Sequence, residues 1–130
     1  DVLVREMNPF VSFDISVDVG AAERFVDSAR AALAARFETV RTVAFGHLGD
    51  NNLHLGVHVG QDTLAREKEV ERCVYGVVGH YGGALTAEHG VGRFKREFLP
   101  DHVAPGALEL MGRLRHALDP ATLLNREVLF

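Results

Sequence analysis

Apolar and polar positions alternate strictly between residues 11 and 17. Val11, Phe13, Ile15 and Val17 fall on one side, and Ser12, Asp14 and Ser16 on the other. Period-two alternation marks a half-buried strand. Asp18 and Gly20 break it. Over residues 21–37 the period changes. Phe25, Ala29, Ala32, Leu33 and Phe37 recur at spacings of three and four, which predicts a helix with one apolar stripe. Its alanines favour the helix, and Glu23 and Asp27 precede Arg30 and Arg36, as the helix dipole prefers. Residues 39–48 and 53–59 read as two more strands. Between them, Gly49-Asp50-Asn51-Asn52 tolerates the left-handed backbone region and predicts a tight hairpin. A turn centred on Asp50-Asn51 sets His47 opposite His54, Phe45 opposite Gly56 and Val43 opposite His58. Leu48, Gly46 and Ala44 then face Leu53, Leu55 and Val57 on the aliphatic side.

Residues 62–81 predict a second helix, capped by Asp62 or Thr63, with Leu64, Val70, Cys73, Val74 and Val77 as its apolar side. Gly82-Gly83 ends it. Ala84-Leu85-Thr86-Ala87 reads as a short fourth strand, and residues 95–99 as a linker or short helix. Residues 105–118 form a third helix, with Leu108, Met111, Leu114 and Leu118 as its stripe and Asp119-Pro120 as its stop. Thr122-Leu123-Leu124-Asn125 and Val128-Leu129-Phe130 read as an apolar tail that should dock on another surface. The order strand, helix, strand, strand, helix, strand is the ferredoxin-like split βαβ arrangement. The expected fold class is therefore α+β: an antiparallel sheet, helices packed on one face, then a C-terminal helix and tail. Residues 1–130 are expected to form a single domain.

Composition narrows the setting. The 130 residues suffice for one core. Apolar content of 47% and charged content of 25% are ordinary for a globular protein. A net charge of −4 provides no basic footprint for nucleic acid. No apolar run approaches a spanning helix, and the start, Asp1-Val2-Leu3-Val4-Arg5, lacks the features of a signal peptide. The lone Cys73 excludes an internal disulfide. It fits a reducing, cytoplasmic compartment and a buried, inert thiol. The absence of an initiating Met suggests a chain cut from a longer one.

The chemistry gathers in two places. His47 and His54 flank the hairpin turn on one expected sheet face, close enough for two imidazoles to reach one ion. Glu88-His89-Gly90 follows at the same sheet edge. Glu88 adds a carboxylate to the two imidazoles, and this set suits zinc, with manganese or iron(II) as alternatives. Open coordination positions would make such a site catalytic in character. Asp50 or Asn52 is placed to orient the histidines. The plainer reading treats Asp50, Asn51 and Asn52 as turn formers and Glu88-His89 as a helix start. His58, His80, His102 and His116 are assigned surface or structural roles.

Gly46-His47-Leu48-Gly49-Asp50-Asn51-Asn52-Leu53-His54 resembles the G-H-x-G-D-G-N-x-H motif of the FAD-linked oxidase C-terminal domain. That family includes glycolate oxidase, D-lactate dehydrogenase and D-2-hydroxyglutarate dehydrogenase flavoenzymes. Thr86-Ala87-Glu88-His89-Gly90-Val91-Gly92-Arg93-Phe94-Lys95 resembles its [ST]-x-E-H-G-[IV]-G-x-x-K motif. Leu118-Asp119-Pro120-Ala121-Thr122-Leu123-Leu124-Asn125 resembles its L-D-P-x-x-[IL]-L-N ending. The resemblance implies that His47, His54 and Glu88 bind a divalent metal and that His89 takes the proton from a 2-hydroxy acid. It implies FAD as cofactor with Asn125 as a contact, and an FAD-binding domain of the same protein as partner. Arg5 and Asn52 are the expected substrate contacts, and a homodimer is entertained.

Three departures stand out. Asn51 replaces the usual Gly of the turn, but Asn also accepts the left-handed region. Ser12 stands where many members carry a substrate-anchoring Lys, and Gly56 where many carry an Asn. These departures point away from 2-hydroxyglutarate as substrate, or to Arg5 as the substitute anchor. Neither Gly82-Gly83 nor Gly90-Val91-Gly92 forms a phosphate-cradling loop. The FAD-binding part is therefore expected outside this sequence, and the fragment alone is expected to be inactive. The competing readings are a stand-alone ferredoxin-like binding or regulatory module and a catalytically inert interaction domain.

Overall fold

The structure, a computed structural model, describes residues 2–126 and 128. Its sheet has three antiparallel strands in the order β1-β3-β2, where β1 is Val11–Ser16, β2 is Arg41–His47 and β3 is Asn52–His58. A short helix α1 (Val2–Met7) precedes β1. Helix α2 (Ala22–Ala34) connects β1 to β2, and α3 (Glu67–His80) follows β3. The α+β class is as the hydrophobic pattern predicts.

One sheet face is aliphatic. Phe13 and Ile15 of β1 and Leu55 and Val57 of β3 are almost fully buried. Helix α2 turns Phe25, Val26, Ala29 and Leu33 inward, and α3 buries Val70, Val74, Tyr75 and Val78. The Phe13 and Tyr75 rings meet edge-on at 5.3 Å. Each such side chain contributes about 1.5–3 kcal/mol on burial, so this face takes the helices. The other face carries Asp14, His47, Asn52 and His54.

The hairpin register differs from expectation by two residues. His47 pairs with Asn52, Phe45 with His54 and Val43 with Gly56. The turn is wider than two residues: Leu48–Asp50 form a 3₁₀ turn, and Asn51 takes the left-handed conformation at φ 53°. Because side chains alternate with period two, a two-residue slip keeps each on its expected face. His47 and His54 thus become diagonal neighbours.

The expected fourth strand shrinks to one bridge, Ser16 to Ala84. The N–H groups of Ala87, Glu88 and His89 donate instead to the Asp14 carboxylate. A side chain thereby takes the donors a fourth strand would have paired. The second helix also starts later than predicted. Thr63 does not cap it; its hydroxyl accepts the Val59 N–H and donates to the Gly60 carbonyl within the preceding turns. Leu64 is exposed, and Tyr75 and Val78 replace it in the core.

The chain sorts into two compact units, residues 1–89 and 90–130, where the hydrophobic pattern shows no boundary. The second unit holds α4 (Leu99–His102) and α5 (Pro105–Leu118). No residue of α5 is fully buried: of the stripe seen in the sequence, Leu114 and Leu118 are exposed and Leu108 and Met111 are half-buried. After α5 the chain folds back on itself. The Asp119 carboxylate accepts the N–H groups of Leu123 and Leu124, and Arg115 donates to the carbonyls of Leu124, Asn125 and Val128. Of the expected apolar tail, Leu123 and Leu124 are exposed and not docked among the described residues, and Leu129 and Phe130 lie outside the described residues.

Candidate active site

The site is built around Asp14, which sits on the outward face of β1 yet is only 2% exposed. Its carboxylate accepts the Thr86 hydroxyl at 2.8 Å and the backbone N–H groups of Ala87 at 3.1 Å, Glu88 at 3.1 Å and His89 at 2.9 Å. Burial pushes the carboxyl up. The hydrogen bonds from His89, Thr86, Glu88 and Ala87 together outweigh burial and hold it at about 2. The charge is therefore kept, and it pins the Thr86–His89 segment over β1.

That clamp brings Glu88 and His89 to the histidine face of the sheet. His54 lies opposite Asp14 in the β1–β3 ladder. Its Nδ1 faces Asp14 Oδ1 at 4.0 Å, and its Nε2 lies 3.4 Å from Glu88 Oε1. The His47 ring stands edge-on to His54 at 5.6 Å, and the His89 ring stacks on His54 at 5.8 Å. His89 Nδ1 lies 3.9 Å from Asp14 Oδ2, while its Nε2 lies 3.6 Å from Glu88 Oε1. His54 is nearly covered, with 14% of its side chain exposed; His89 is open, at 62%.

One donor atom each from His47, His54 and Glu88 lies within 4.8 Å of the others. Ligands about 2.0–2.1 Å from a tetrahedrally held ion stand about 3.3 Å apart, and the His54–Glu88 edge of 3.4 Å matches that. The set of two imidazoles and one carboxylate also has the right chemistry for a borderline divalent ion. The three residues therefore fit a metal. A second grouping, Asp14, Glu88 and His89, has equally close atoms. Asp14 is the poorer ligand, because its lone pairs are already committed to four donors.

Asn52 is buried beside this cluster, and its Oδ1 has no hydrogen-bond partner. A buried, unpaired acceptor costs about 1–3 kcal/mol, which a bound donor would recover. Asn52 lines a cavity of about 370 Å³ together with Ser16, Asp50, Thr86 and Glu88. A second cavity, of about 170 Å³, adjoins His54. Arg5 is exposed on α1 and lines neither cavity. Asn125 belongs to the second unit, in a left-handed conformation at φ 45°, with its carbonyl held by Arg115. His58 is buried, and its Nδ1 meets the Pro9 carbonyl at 2.7 Å, a structural role as expected. Cys73 is buried too, and burial pushes its thiol up.

Sequence reasoning missed Asp14 as a site residue. The available signal was its place on the same strand face as the histidines' neighbours. The four donors it serves lie more than seventy residues away, and local pattern does not reveal them.

A model of the family "FAD linked oxidases, C-terminal domain" matches residues 1–129. A D-2-hydroxyglutarate dehydrogenase of Stutzerimonas stutzeri is 32% identical over 123 residues, covering 90% of this chain and 26% of that protein. A mitochondrial D-2-hydroxyglutarate dehydrogenase of Bos taurus is 35% identical over 113 residues, covering 87% and 20%. An uncharacterized FAD-linked oxidoreductase of Mycobacterium tuberculosis is 31% identical over 117 residues, covering 90% and 25%. The chain thus spans about a quarter or less of the length of these relatives. It belongs to the family of FAD linked oxidases, as a C-terminal domain.

Proposed function

We propose that this chain is the substrate- and metal-binding portion of an FAD-dependent enzyme that oxidises a 2-hydroxy acid to the 2-oxo acid. The observation that carries this reading is the convergence of His47, His54 and Glu88 beside His89. Relatives named as D-2-hydroxyglutarate dehydrogenases support the reaction class. Their greater length supports an FAD-binding region of the same protein as partner.

In this reading His47, His54 and Glu88 hold a divalent ion, most simply zinc, with manganese or iron(II) also compatible with the set. When bound, the metal supplies Lewis acidity at the substrate hydroxyl oxygen, and FAD supplies the acceptor for the hydride from Cα. His89 takes the hydroxyl proton at Nε2, the ring nitrogen turned away from Asp14. Asp14 positions His89 through its backbone N–H at 2.9 Å, and the ring Nδ1 lies 3.9 Å from the same carboxylate. Nε2, the His54 nitrogen 3.4 Å from Glu88, serves as its ligand atom, while Nδ1 lies 4.0 Å from Asp14. The Asn52 carboxamide, buried and unpaired at Oδ1, meets a polar group of the substrate. The buried Cys73 is consistent with a reducing, cytoplasmic setting, and no helix among the described residues is long and apolar enough to cross a membrane. A homodimer finds no support and is not part of the proposal.

The test is metal analysis of the purified protein together with a chelator titration. About one divalent ion per chain is expected, with a lower unfolding midpoint after chelation. Metal-free protein whose midpoint ignores both zinc and chelator would sink the metal-dependent reading.

A further inference from the structure

Two cavities of opposite character adjoin the cluster, besides a third of about 220 Å³ at His47 and Asn52. On one side, Asn52, Thr86, Glu88 and Asp50 line polar space. On the other, Met7, Phe10, Val43, Phe45, Leu55 and Gly56 line an apolar cavity of about 170 Å³, which Ser12 and His54 complete. Among the described residues, no lysine or arginine lines either cavity. A substrate with a second carboxylate would have to lose its water there without a cation in return, an uncompensated desolvation. On the polar side Asp50 adds a further negative charge that a second carboxylate would meet. Gly56 keeps the apolar cavity open. A Cβ at that position would meet Val43 Cγ1 at 3.0 Å and Phe10 Cδ2 at 3.6 Å. The Phe45 ring lies against His54, with centroids 5.2 Å apart, so the cavity begins beside the ligand histidine. At about 30 Å³ per water-sized group, the space admits about five methyl-sized groups.

We propose that the 2-hydroxy acid taken at this site carries an apolar side chain, a branched alkyl or aryl group, seated in this cavity. The inference rests on the function proposed above and narrows its substrate. The acid's carboxylate and hydroxyl stay at the metal cluster and Asn52, and its side chain runs past His54 between β1 and β2. The selectivity is hydrophobic: each buried CH₂ group strengthens transition-state binding about fourfold.

The experiment uses the holoenzyme with its flavin-binding region in place. Anaerobic flavin reduction is followed with lactate, 2-hydroxy-4-methylpentanoate, 3-phenyllactate and 2-hydroxyglutarate. The expected kcat/KM for 2-hydroxy-4-methylpentanoate exceeds that for lactate by about 50-fold, from three further buried carbons, and exceeds that for 2-hydroxyglutarate by more. In a readout independent of turnover, 4-methyl-2-oxopentanoate raises the unfolding midpoint and 2-oxoglutarate at equal concentration does not. Val43→Lys, on a half-exposed edge position, should lower the ratio of branched acid to 2-hydroxyglutarate at least tenfold. Val43→Ala should lower it about threefold. Flavin reduced best by 2-hydroxyglutarate overturns the inference and leaves the proposed function standing. A ratio unmoved in both folded Val43 variants likewise overturns only the inference. Flavin reduced by none of the four acids overturns the function and the inference together.

Discussion

Asp14 is the residue on which the site depends. It holds Thr86, Ala87, Glu88 and His89 in place by four hydrogen bonds. Asp14→Asn keeps the size but replaces one acceptor oxygen with a donor amide and removes the charge. A loss of about 2–4 kcal/mol in urea unfolding is expected, together with weaker metal binding, because the Glu88 segment loses its anchor. The Asp14 carboxyl sits at about 2 in the fold, against an ordinary 3.8. Its folded-state pKa is depressed, so its contribution is present above about pH 4 and is lost as pH falls towards 2. About 2 kcal/mol should disappear across that window, measured by urea unfolding in chelator, and the Asp14→Asn chain should lack that component. At the cluster, two substitutions separate two roles. His54→Ala should abolish stoichiometric metal. His89→Gln should retain the metal and slow flavin reduction by about 10²–10⁴-fold, the range for a general base. Parallel loss of metal in both variants would contradict the division of labour.

At the scale of elements, the hairpin and the segment after α3 depend on close backbone approaches. Asn51 closes the β2–β3 turn in the left-handed region, and its Oδ1 accepts the Val19 N–H at 3.0 Å. Asn51→Gly keeps the left-handed backbone but loses that hydrogen bond and should cost about 0.5–1 kcal/mol, whereas Asn51→Ala, which is also strained there, should cost about 1–2 kcal/mol in thermal unfolding. Gly83 passes so near β1 that a Cβ would stand 2.5 Å from the Ser16 carbonyl oxygen. Gly83→Ala must push the Thr86–His89 segment away from Asp14. It should reduce metal affinity more than it reduces helix content, as read by calorimetry and circular dichroism. The strands and the long helices were legible because hydrophobic period is a local signal; the third helix matches its predicted bounds of Pro105–Leu118. The register and the missing fourth strand were not legible. One depended on how many residues the turn absorbs, the other on a carboxylate competing for backbone donors.

For the whole molecule, the clearest feature is that one unit, residues 1–89, carries the entire cluster. His47, His54, Glu88 and His89 come from three separate stretches, yet all reach the face that the helices leave free. The aliphatic face is occupied by α2 and α3, and the polar face is left for chemistry. In the proposed function a bound metal would link those stretches, so saturating zinc should raise the unfolding midpoint. At a metal concentration one hundred times Kd the gain is about 2.7 kcal/mol. His54→Ala should erase that gain while leaving the metal-free midpoint within a few degrees.

The sequence by itself determined the α+β class, the order of the three strands and the long helices, the inward and outward faces of those strands, and the family through its two histidine motifs. Those are consequences of local spacing, and spacing survives small errors of register. Only the tertiary structure decided that Asp14 is the clamp, that Glu88 and His89 are hung from it, and that apolar space opens beside His54. Each of these depends on residues far apart in the chain meeting within a few ångströms. The Ser12 and Gly56 positions show the difference well. In the sequence they are two missing polar groups, whereas in the fold they border a cavity lined mostly by apolar side chains.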